Sequence, residues 1–481
     1  MRRIASWLLV ALLALGQAAG LAHAAGPSGS GVAASALIPT PASRICGQMG
    51  DSRTQNGGAV ISGSSQPWSA TQTEANTPVS KRSNGYQFWV EFLTYGRIQL
   101  PLSLNFGVTG DTAVNMFVTS ASTRLDVAIQ RTLAAGGSCM VLWAGTNDWT
   151  GGAAYTDVIN AYEAAITKAR AAGLLVIFIT DTPRGHSSAT SARLSTTNLK
   201  RMLRAVQWLR DQRNRPGVYI VDGMRDLADP ASTVGDWRSS DLTSDGTHLT
   251  AMSAALLGQQ FVAIANALHT PAAYLPAANS DLYDATDNPL GIITANPMVD
   301  GTGGSLGGSA TGQVATGWSA LYNNLTGYTL AYSKETVADP DTGAPKVWQA
   351  LTMSGTPTVA NTYAGATQTI SLATYPVGTR LQVVCEVMWD AGLANIEGIR
   401  VGMEGGRTNA PNFWLVYAGS VGAGGKPMDG SRVYRGLMAT EPYTLASDIN
   451  SVSMQFRVSP IQNAAITAKI YWRACGTRIV Q

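Results

Sequence analysis

Three side chains of this sequence could together cleave an ester: Ser52, Asp245 and His248. Ser52 stands in Gly50 to Thr54, directly after a short apolar segment, and Asp245 and His248 lie three residues apart far downstream. A serine hydroxyl becomes a good nucleophile when an imidazole removes its proton and a carboxylate orients that imidazole. These residues predict a serine hydrolase in which Ser52 attacks, His248 is the general base and Asp245 holds His248.

Each of the two motifs also has a structural interpretation. Turns use Gly, Asp and Ser for backbone reasons, so Gly50 to Ser52 could be a simple turn. Asp245 could likewise belong to a turn that caps the helix beginning near Thr250. Capping and catalysis are compatible at this position.

Two further segments offer hydrogen-bond donors for the negative charge that develops in acyl transfer. Asn105 to Thr112 contains Gly107 and Gly110, where the backbone can approach a substrate closely. Asn147 follows the apolar segment that ends at Ala144 and carries a side-chain NH2. Both segments follow predicted parallel strands, at the edge where open α/β sheets place their sites.

Apolar strands alternate with helical patterns in the first half of the chain, which predicts an α/β fold with a parallel sheet. A stretch rich in Pro, Asn, Asp and Ala predicts a linker at 271–297, and short strands follow it, which predicts a β-sandwich or jelly roll at 298–481. The predicted strands of the first half are 44–49, 102–108, 139–144, 174–180 and 218–222, with helices at 152–172, 194–213 and 252–268.

Taken together, these residues resemble the SGNH hydrolases, also called GDSL esterases and lipases. Gly50-Asp51-Ser52, Gly110, Gly145-x-Asn147-Asp148 and Asp245-x-x-His248 match the four blocks of that family in order. The resemblance implies a three-layer α/β/α domain over 43–270 that needs no cofactor. It also implies an oxyanion hole formed by the amides of Ser52 and Gly110 and by the Asn147 side chain.

The chain departs from the family pattern at position 53, which is Arg instead of the Leu of the GDSL name. This departure argues against reading the family name as support for a lipid substrate. The segment from Gln55 to Asn84 is long and polar, and it is interpreted as a surface loop that could cover the site.

Residues 1–24 have the pattern of an export signal, with Arg2 and Arg3, a short apolar run and a small-x-small site before cleavage near Ala24. Residues 25–42 would then be an N-terminal linker, and the protein would be secreted or periplasmic. With 33 basic and 30 acidic residues, the chain is an unlikely partner for nucleic acid. No later apolar run predicts a transmembrane segment.

The four cysteines show no metal-type spacing, so no metal site is expected. Cys385 and Cys475 both lie in predicted strands of the second half and are expected to pair. Cys46 and Cys139 lie in apolar strands and are expected to be unpaired residues of the core.

Other candidates are weaker. Gly303 to Gly307 fits the G-x-S-x-G pattern, but no histidine follows it and the surrounding sequence is a glycine-rich loop. His186 is typical of a loop residue, and His269 is typical of a helix end. The aromatic residues of the second half are expected to be mostly core, with glycan stacking as the alternative; they are Trp318, Tyr322, Trp348, Trp389, Trp414, Tyr417 and Trp472.

The favoured function is a secreted serine esterase acting on acyl esters of a carbohydrate, O-acetyl esters above all, with possible polysaccharide binding by the second half. This preference for carbohydrate follows from the resemblance, because SGNH enzymes with appended β-domains often act on decorated polysaccharides. Two alternatives stay open: a lipase or small-ester hydrolase, and a non-catalytic carbohydrate-binding or adhesion protein.

Overall fold

The computed structural model describes residues 43–60, 79–119, 124–270, 275–339, 342–372, 375–408, 413–419 and 427–480. The predicted export signal and N-terminal linker lie outside these residues, as does 61–78 of the long polar loop. The α-helices are α1 (Ser52–Gln55), α2 (Tyr86–Leu93), α3 (Arg124–Ala134), α4 (Thr146–Thr150), α5 (Tyr155–Ala171), α6 (Thr196–Asp211) and α7 (Ala251–Leu268).

The strands of the described residues fall into four sheets. The first half contains β1 (Cys46–Gly50), β2 (Gly58–Val60), β3 (Val79–Lys81), β4 (Cys139–Trp143), β5 (Leu175–Ile179) and β6 (Val218–Val221). The second half contains β7 (Thr311–Gly312), β8 (Ser319–Tyr322), β9 (Tyr328–Ala338), β10 (Pro345–Gly355), β11 (Ala364–Ile370), β12 (Arg380–Trp389), β13 (Ile396–Arg407), β14 (Phe413–Gly419), β15 (Tyr434–Ala439), β16 (Tyr443–Thr444), β17 (Ile449–Pro460) and β18 (Ile466–Ile479).

A parallel sheet in the order β1-β4-β5-β6 forms the centre of the first half. Its strands are apolar runs, as expected for a sheet that helices cover on both faces. One face packs on α3, α5 and α6, and the other packs on α2 and α7 through rings such as Tyr86, Trp143 and Phe261. The predicted three-layer α/β/α fold is confirmed.

The predicted strand at 102–108 is wrong. Leu102–Leu104 form a 3₁₀ turn, and an extended stretch follows it along the edge of β1. The amides of Phe106 and Val108 donate to the carbonyls of Gln48 and Gly50, at 2.8 and 2.9 Å. The Asn105 side chain bonds Thr54 O and the Gly107 amide, so local contacts replace a regular ladder.

The structure corrects one of the two cysteine predictions. Cys385 and Cys475 form a disulfide, as expected, but so do Cys46 and Cys139, which we expected to be unpaired. Cys46 and Cys139 occupy the same register of neighbouring strands β1 and β4, with Cα atoms 4.5 Å apart. Both are buried, as predicted, and this disulfide links two adjacent strands of the central sheet.

The second half contains two larger sheets, which are mostly antiparallel. One has the order β15-β12-β18-β10-β9-β7, with β16 beside β12, and the other has the order β14-β13-β17-β11-β8. Apolar side chains alternate along these strands and fill the space between the sheets, for example Phe456 stacked on Trp472 at 4.5 Å. The β-sandwich predicted from the second half is confirmed.

The two halves pack directly against each other. Trp89 and Phe92 of α2 meet Trp389 of β12 and Tyr434 of β15, with ring centroids 4.8 to 5.8 Å apart for the Trp89–Trp389, Trp89–Tyr434 and Phe92–Trp389 pairs. Aromatic contacts of this kind stabilise beyond the area they bury. The β-sandwich therefore packs on α2 through a cluster of aromatic side chains.

One helix of the described residues, α7, is long and apolar enough to cross a membrane by length and composition. It has 18 residues, and 56% of them are buried inside the protein. Since Phe261 stacks on Tyr86 and Gly258 lies against Trp89, α7 serves as a core helix of the α/β half.

Candidate active site

Ser52 is the first residue of α1 and follows directly on β1. Asp51 is the N-cap of this helix and accepts a hydrogen bond from the Arg53 amide at 3.0 Å. The sharp transition from strand to helix places the Ser52 side chain at the carboxyl end of the sheet. Ser52 Oγ lies 2.8 Å from His248 Nε2, within hydrogen-bond distance.

His248 and Asp245 are held together by a tight loop. Asp245 Oδ1 accepts the amides of Thr247 and His248, at 2.9 and 2.8 Å, and Oδ2 lies 2.7 Å from His248 Nδ1. Since the carboxylate fixes Nδ1 as the protonated nitrogen, Nε2 is left to accept a proton from Ser52. The hydrogen bond from the His248 ring holds the pKa of the Asp245 carboxyl well below its usual range.

Hydrogen bonds from Trp237 and Thr243 hold this loop in place. Gly246 adopts a φ of 81°, a conformation that favours glycine, and its carbonyl accepts the Trp237 indole N–H at 3.1 Å. Thr243 Oγ1 donates to His248 O and accepts the Gly246 amide, at 3.0 and 2.9 Å. The helix α7 then begins with a capping box between Thr250 and Ser253, so Asp245 is free of a capping role.

The family resemblance assigns two backbone amides to the oxyanion hole, those of Ser52 and Gly110. Neither amide has a hydrogen-bond partner among the described residues. The Ser52 amide opens α1, and the Gly110 amide lies in an exposed turn where φ is 79°. That turn is fastened to α1, since Gln55 Oε1 accepts the Thr109 amide at 2.5 Å.

Gly107, the other glycine of the segment from Asn105 to Thr112, is required for close packing. Its amide donates to Asn105 Oδ1 at 3.0 Å, and an added Cβ would collide with the Gln55 backbone. Gly110, in contrast, has no atom within 4 Å of an added Cβ, so its neighbourhood is open. The geometry therefore favours Gly110 over Gly107 as a donor to a substrate.

Asn147 lies in α4, immediately after β4, and its side-chain nitrogen donates to Asp111 O at 2.7 Å. A carboxamide NH2 has two hydrogens, so this bond fixes the group while the second N–H stays available. The neighbouring Asp148 accepts the Ala113 amide at 2.7 Å and so ties the Gly110 segment to α4. Burial raises the pKa of Asp148 to about 6.

Arg53 is buried beneath the nucleophile and is held by two carboxylates. It donates to Asp51 through Nε and Nη2, at 3.0 and 2.7 Å, and to Asp181 Oδ1 at 3.3 Å. Its guanidinium also lies 4.4 Å from the centroid of the Trp143 ring. Burial lowers the pKa of Arg53, but the Asp51 and Asp181 carboxylates outweigh burial and the net pKa is raised.

The weaker sequence candidates do not belong to the hydrogen-bonded chain from Ser52 to Asp245, although Gly185, next to His186, donates its amide to Gly246 O at 2.8 Å. His186 Nδ1 accepts the Ser188 amide at 3.2 Å in a local turn, and His269 is the buried C-cap of α7. Trp318, Trp348, Trp389 and Trp472 are buried core residues, while the Trp414 and Tyr417 side chains lie outside the described part of the chain. In the described ranges, no group of three His, Cys, Asp or Glu side chains could hold a metal ion.

The fold and the Ser52–His248–Asp245 arrangement are those of a serine-dependent hydrolase of the α/β/α class. Residues 49–256 match the model of the GDSL-like lipase/acylhydrolase family, and this range includes every site residue described above. Residues 49–256 therefore belong to that family, and the chain is an ester hydrolase.

Several solved structures are similar to parts of this chain. A lipase/acylhydrolase from Enterococcus faecalis is 18% identical, with 47% of this chain and 98% of that chain covered and a TM-score of 0.30. A GDSL-like lipase from Bacteroides thetaiotaomicron is 14% identical, with coverages of 46% and 89% and a TM-score of 0.29. A carbohydrate-binding module of the β-sandwich superfamily is 14% identical, with coverages of 34% and 57% and a TM-score of 0.23. No curated protein sequence matches the chain significantly.

Proposed function

We propose that the protein is a secreted or periplasmic serine esterase that removes acyl groups, O-acetyl groups above all, from a carbohydrate. The observation that carries the catalytic part of this proposal is the hydrogen-bonded chain from Ser52 Oγ through the His248 ring to Asp245, with distances of 2.8 and 2.7 Å. This is the arrangement that activates a serine hydroxyl for attack on an ester carbonyl.

The proposed reaction runs in two halves. Ser52 Oγ attacks the carbonyl carbon while His248 Nε2 takes its proton, and the oxyanion is stabilised by the Ser52 and Gly110 amides and by Asn147. The tetrahedral intermediate collapses, the alcohol leaves with the proton from His248, and an acyl group remains on Ser52. Water then attacks that ester with His248 again as base, which releases the acid and restores the hydroxyl.

A polar, bulky alcohol suits the surroundings of the triad. The side chains of His248 and Asp245 are 32% and 51% exposed, so the general base stands at an open face of the molecule. An open face admits a saccharide chain, whereas a long acyl chain is best bound in an apolar cleft. Position 53 is Arg instead of the leucine of the GDSL name, and Arg53 forms a buried ion pair with Asp51 beneath the nucleophile.

A panel of esters tests the substrate assignment. Acetylated xylan and other acetylated glycans, 4-nitrophenyl esters of acetate to palmitate, and emulsified triacylglycerol would be compared by kcat/KM. We expect turnover of acetyl esters, release of acetate from at least one glycan, and a decline as the acyl chain lengthens. A preference for long acyl chains would refute the carbohydrate assignment, and no turnover of any ester would refute the esterase.

Replacing Asn147 with alanine is expected to lower kcat on 4-nitrophenyl acetate on the order of a hundredfold, because one oxyanion donor is lost. KM and the thermal unfolding midpoint are expected to change little, since Asn147 is half-buried at the end of the sheet. Steady-state kinetics with a thermal melt as the control would measure both. An unchanged kcat would remove Asn147 from the oxyanion hole.

Activity is expected to fall as the solution becomes acidic, about tenfold per pH unit, because His248 must be neutral to accept the Ser52 proton. Asp245 does not add a second ionisation, since the His248 hydrogen bond keeps its pKa low and it stays charged. Asp148 is a second group near the site whose protonation could lower the activity in acid, because burial raises its pKa to about 6.

The kcat/KM profile of Asp148→Asn separates these groups. We expect the variant to keep the acidic fall with the same slope. A flat profile in Asp148→Asn would assign the titration to Asp148 and would contradict the role of His248 as the base.

A further inference from the structure

A large cavity lies where the two halves meet, at the end of α7 that is remote from the catalytic loop. We name it the seam cavity; its volume is about 1120 Å³, and its titratable lining includes Arg97, His269, Asp339, Lys346, Glu386, Arg435 and Arg473. α7 has 18 residues and so spans about 27 Å, and it starts three residues after His248. The seam cavity is therefore distinct from the catalytic site.

The charges around this cavity do not balance. Its described lining contains four cationic side chains, from Arg97, Lys346, Arg435 and Arg473, but only the two carboxylates of Asp339 and Glu386. An excess of positive charge in a partly enclosed space attracts and concentrates anions.

The two carboxylates are already shared among three of the cations. Asp339 pairs with Lys346 and accepts from Arg435 Nη2 at 2.9 Å. Glu386 accepts from Arg435 Nε at 2.7 Å and pairs with Arg473 Nε at 3.3 Å. Neither carboxylate therefore remains for Arg97.

Arg97 forms no ion pair with a carboxylate in the described part of the chain. Its Nη1 makes a long hydrogen bond of 3.4 Å to Thr94 O, and its Nε is buried without a hydrogen-bond partner. His269 Nε2 is a second buried nitrogen on the cavity wall without a partner. Buried polar groups are nearly always satisfied, so these two nitrogens are available to a ligand that forms hydrogen bonds in this cavity.

We propose that the seam cavity binds a small anionic ligand whose carboxylate or phosphate is held by Arg97, with Arg473 and His269 beside it. Guanidinium groups suit both anions because they donate parallel hydrogen bonds. The buried Trp348 ring lies beneath two of these cations, since the guanidinium groups of Arg435 and Arg473 are 5.3 and 5.5 Å from its centroid. Burial lowers the pKa of Arg473 although the Glu386 carboxylate opposes this effect, so a bound anion would stabilise the charged guanidinium further.

Isothermal titration calorimetry on the full chain tests the proposal, with D-glucuronate and inorganic phosphate as separate probes at constant ionic strength. D-glucose is the neutral counterpart of glucuronate. We expect saturable binding of at least one anion and none of glucose, and the anion that binds identifies carboxylate or phosphate as the recognised group. No saturable binding of either anion would overturn the proposal.

Matched variants locate the binding. Arg97→Gln is expected to weaken the anion at least tenfold, Arg97→Lys to retain most of the affinity, and Arg238→Gln, at an exposed arginine elsewhere, to leave it unchanged. Equal affinity in Arg97→Gln and the wild type would overturn the assignment to this cavity. Hydrolysis of 4-nitrophenyl acetate is expected to be unchanged in all three variants, so the esterase and the anion site can fail independently.

Discussion

Replacing Ser52 with alanine is expected to lower kcat/KM for 4-nitrophenyl acetate on the order of ten-thousandfold or more, because no other group can form the acyl-enzyme. Ser52 Oγ is the atom that faces His248 Nε2 at 2.8 Å, and the remaining oxyanion donors cannot replace an attacking oxygen. Substrate binding is expected to persist, so the loss should appear in kcat. Initial rates at saturating ester, corrected for spontaneous hydrolysis, would measure it.

His248→Ala gives a matched comparison. Since Ser52 and His248 act as one unit, each single variant and the double variant are expected to lose activity to a similar extent. Additive losses would mean that the two residues act independently. A Ser52→Ala enzyme with more than a tenth of the wild-type rate would remove Ser52 as the nucleophile.

Replacing Arg53 with leucine, the residue of the GDSL name, is expected to destabilise the protein by about 3–5 kcal/mol. The Arg53 side chain is fully buried and pairs with Asp51 at 2.7 Å and Asp181 at 3.3 Å. Leucine would leave both carboxylates buried without a cation, directly beneath the nucleophile. A loss of this size is a large fraction of the stability of a typical protein.

Urea unfolding followed by tryptophan fluorescence would measure this loss. The direction in which this stability loss changes with pH follows from the pKa of Asp181. Burial raises the pKa of Asp181, and removal of Arg53 would raise it further, so the folded variant binds protons more tightly than its unfolded chain. The deficit of Arg53→Leu is therefore expected to shrink as the pH falls from neutral. Arg53→Lys, which keeps the charge, should lose less, and a leucine variant as stable as the wild type would contradict the account.

The close approach of Asp245 and His248 could be predicted from the sequence because the two residues lie in one short loop. Asp245 and His248 are close in the chain, and their shared hydrogen bonds follow from the turn that Gly246 allows. The position of Asn147 followed from a general rule, since the carboxyl ends of neighbouring parallel strands meet at one edge. Gly110 follows an extended stretch that is not a strand of the sheet, so this rule does not account for its position.

Contacts between distant segments could not be predicted in this way. Nothing in the local sequence shows that β1 and β4 are neighbours in register, so the Cys46–Cys139 disulfide was missed. The partner of Arg53, Asp181, is likewise 128 residues away. The π-helical turn at Asn115–Thr119 has no simple sequence signal.

Covalent labelling tests most directly whether Ser52 is the nucleophile of an ester hydrolase. A fluorophosphonate reacts with an activated serine by forming an oxygen–phosphorus bond as fluoride leaves. Mass spectrometry of the intact protein and its peptides is expected to show one phosphonyl group, on Ser52, and none in Ser52→Ala or in acid-unfolded protein. A label on any other residue, or an unlabelled protein that still hydrolyses esters, would contradict the account.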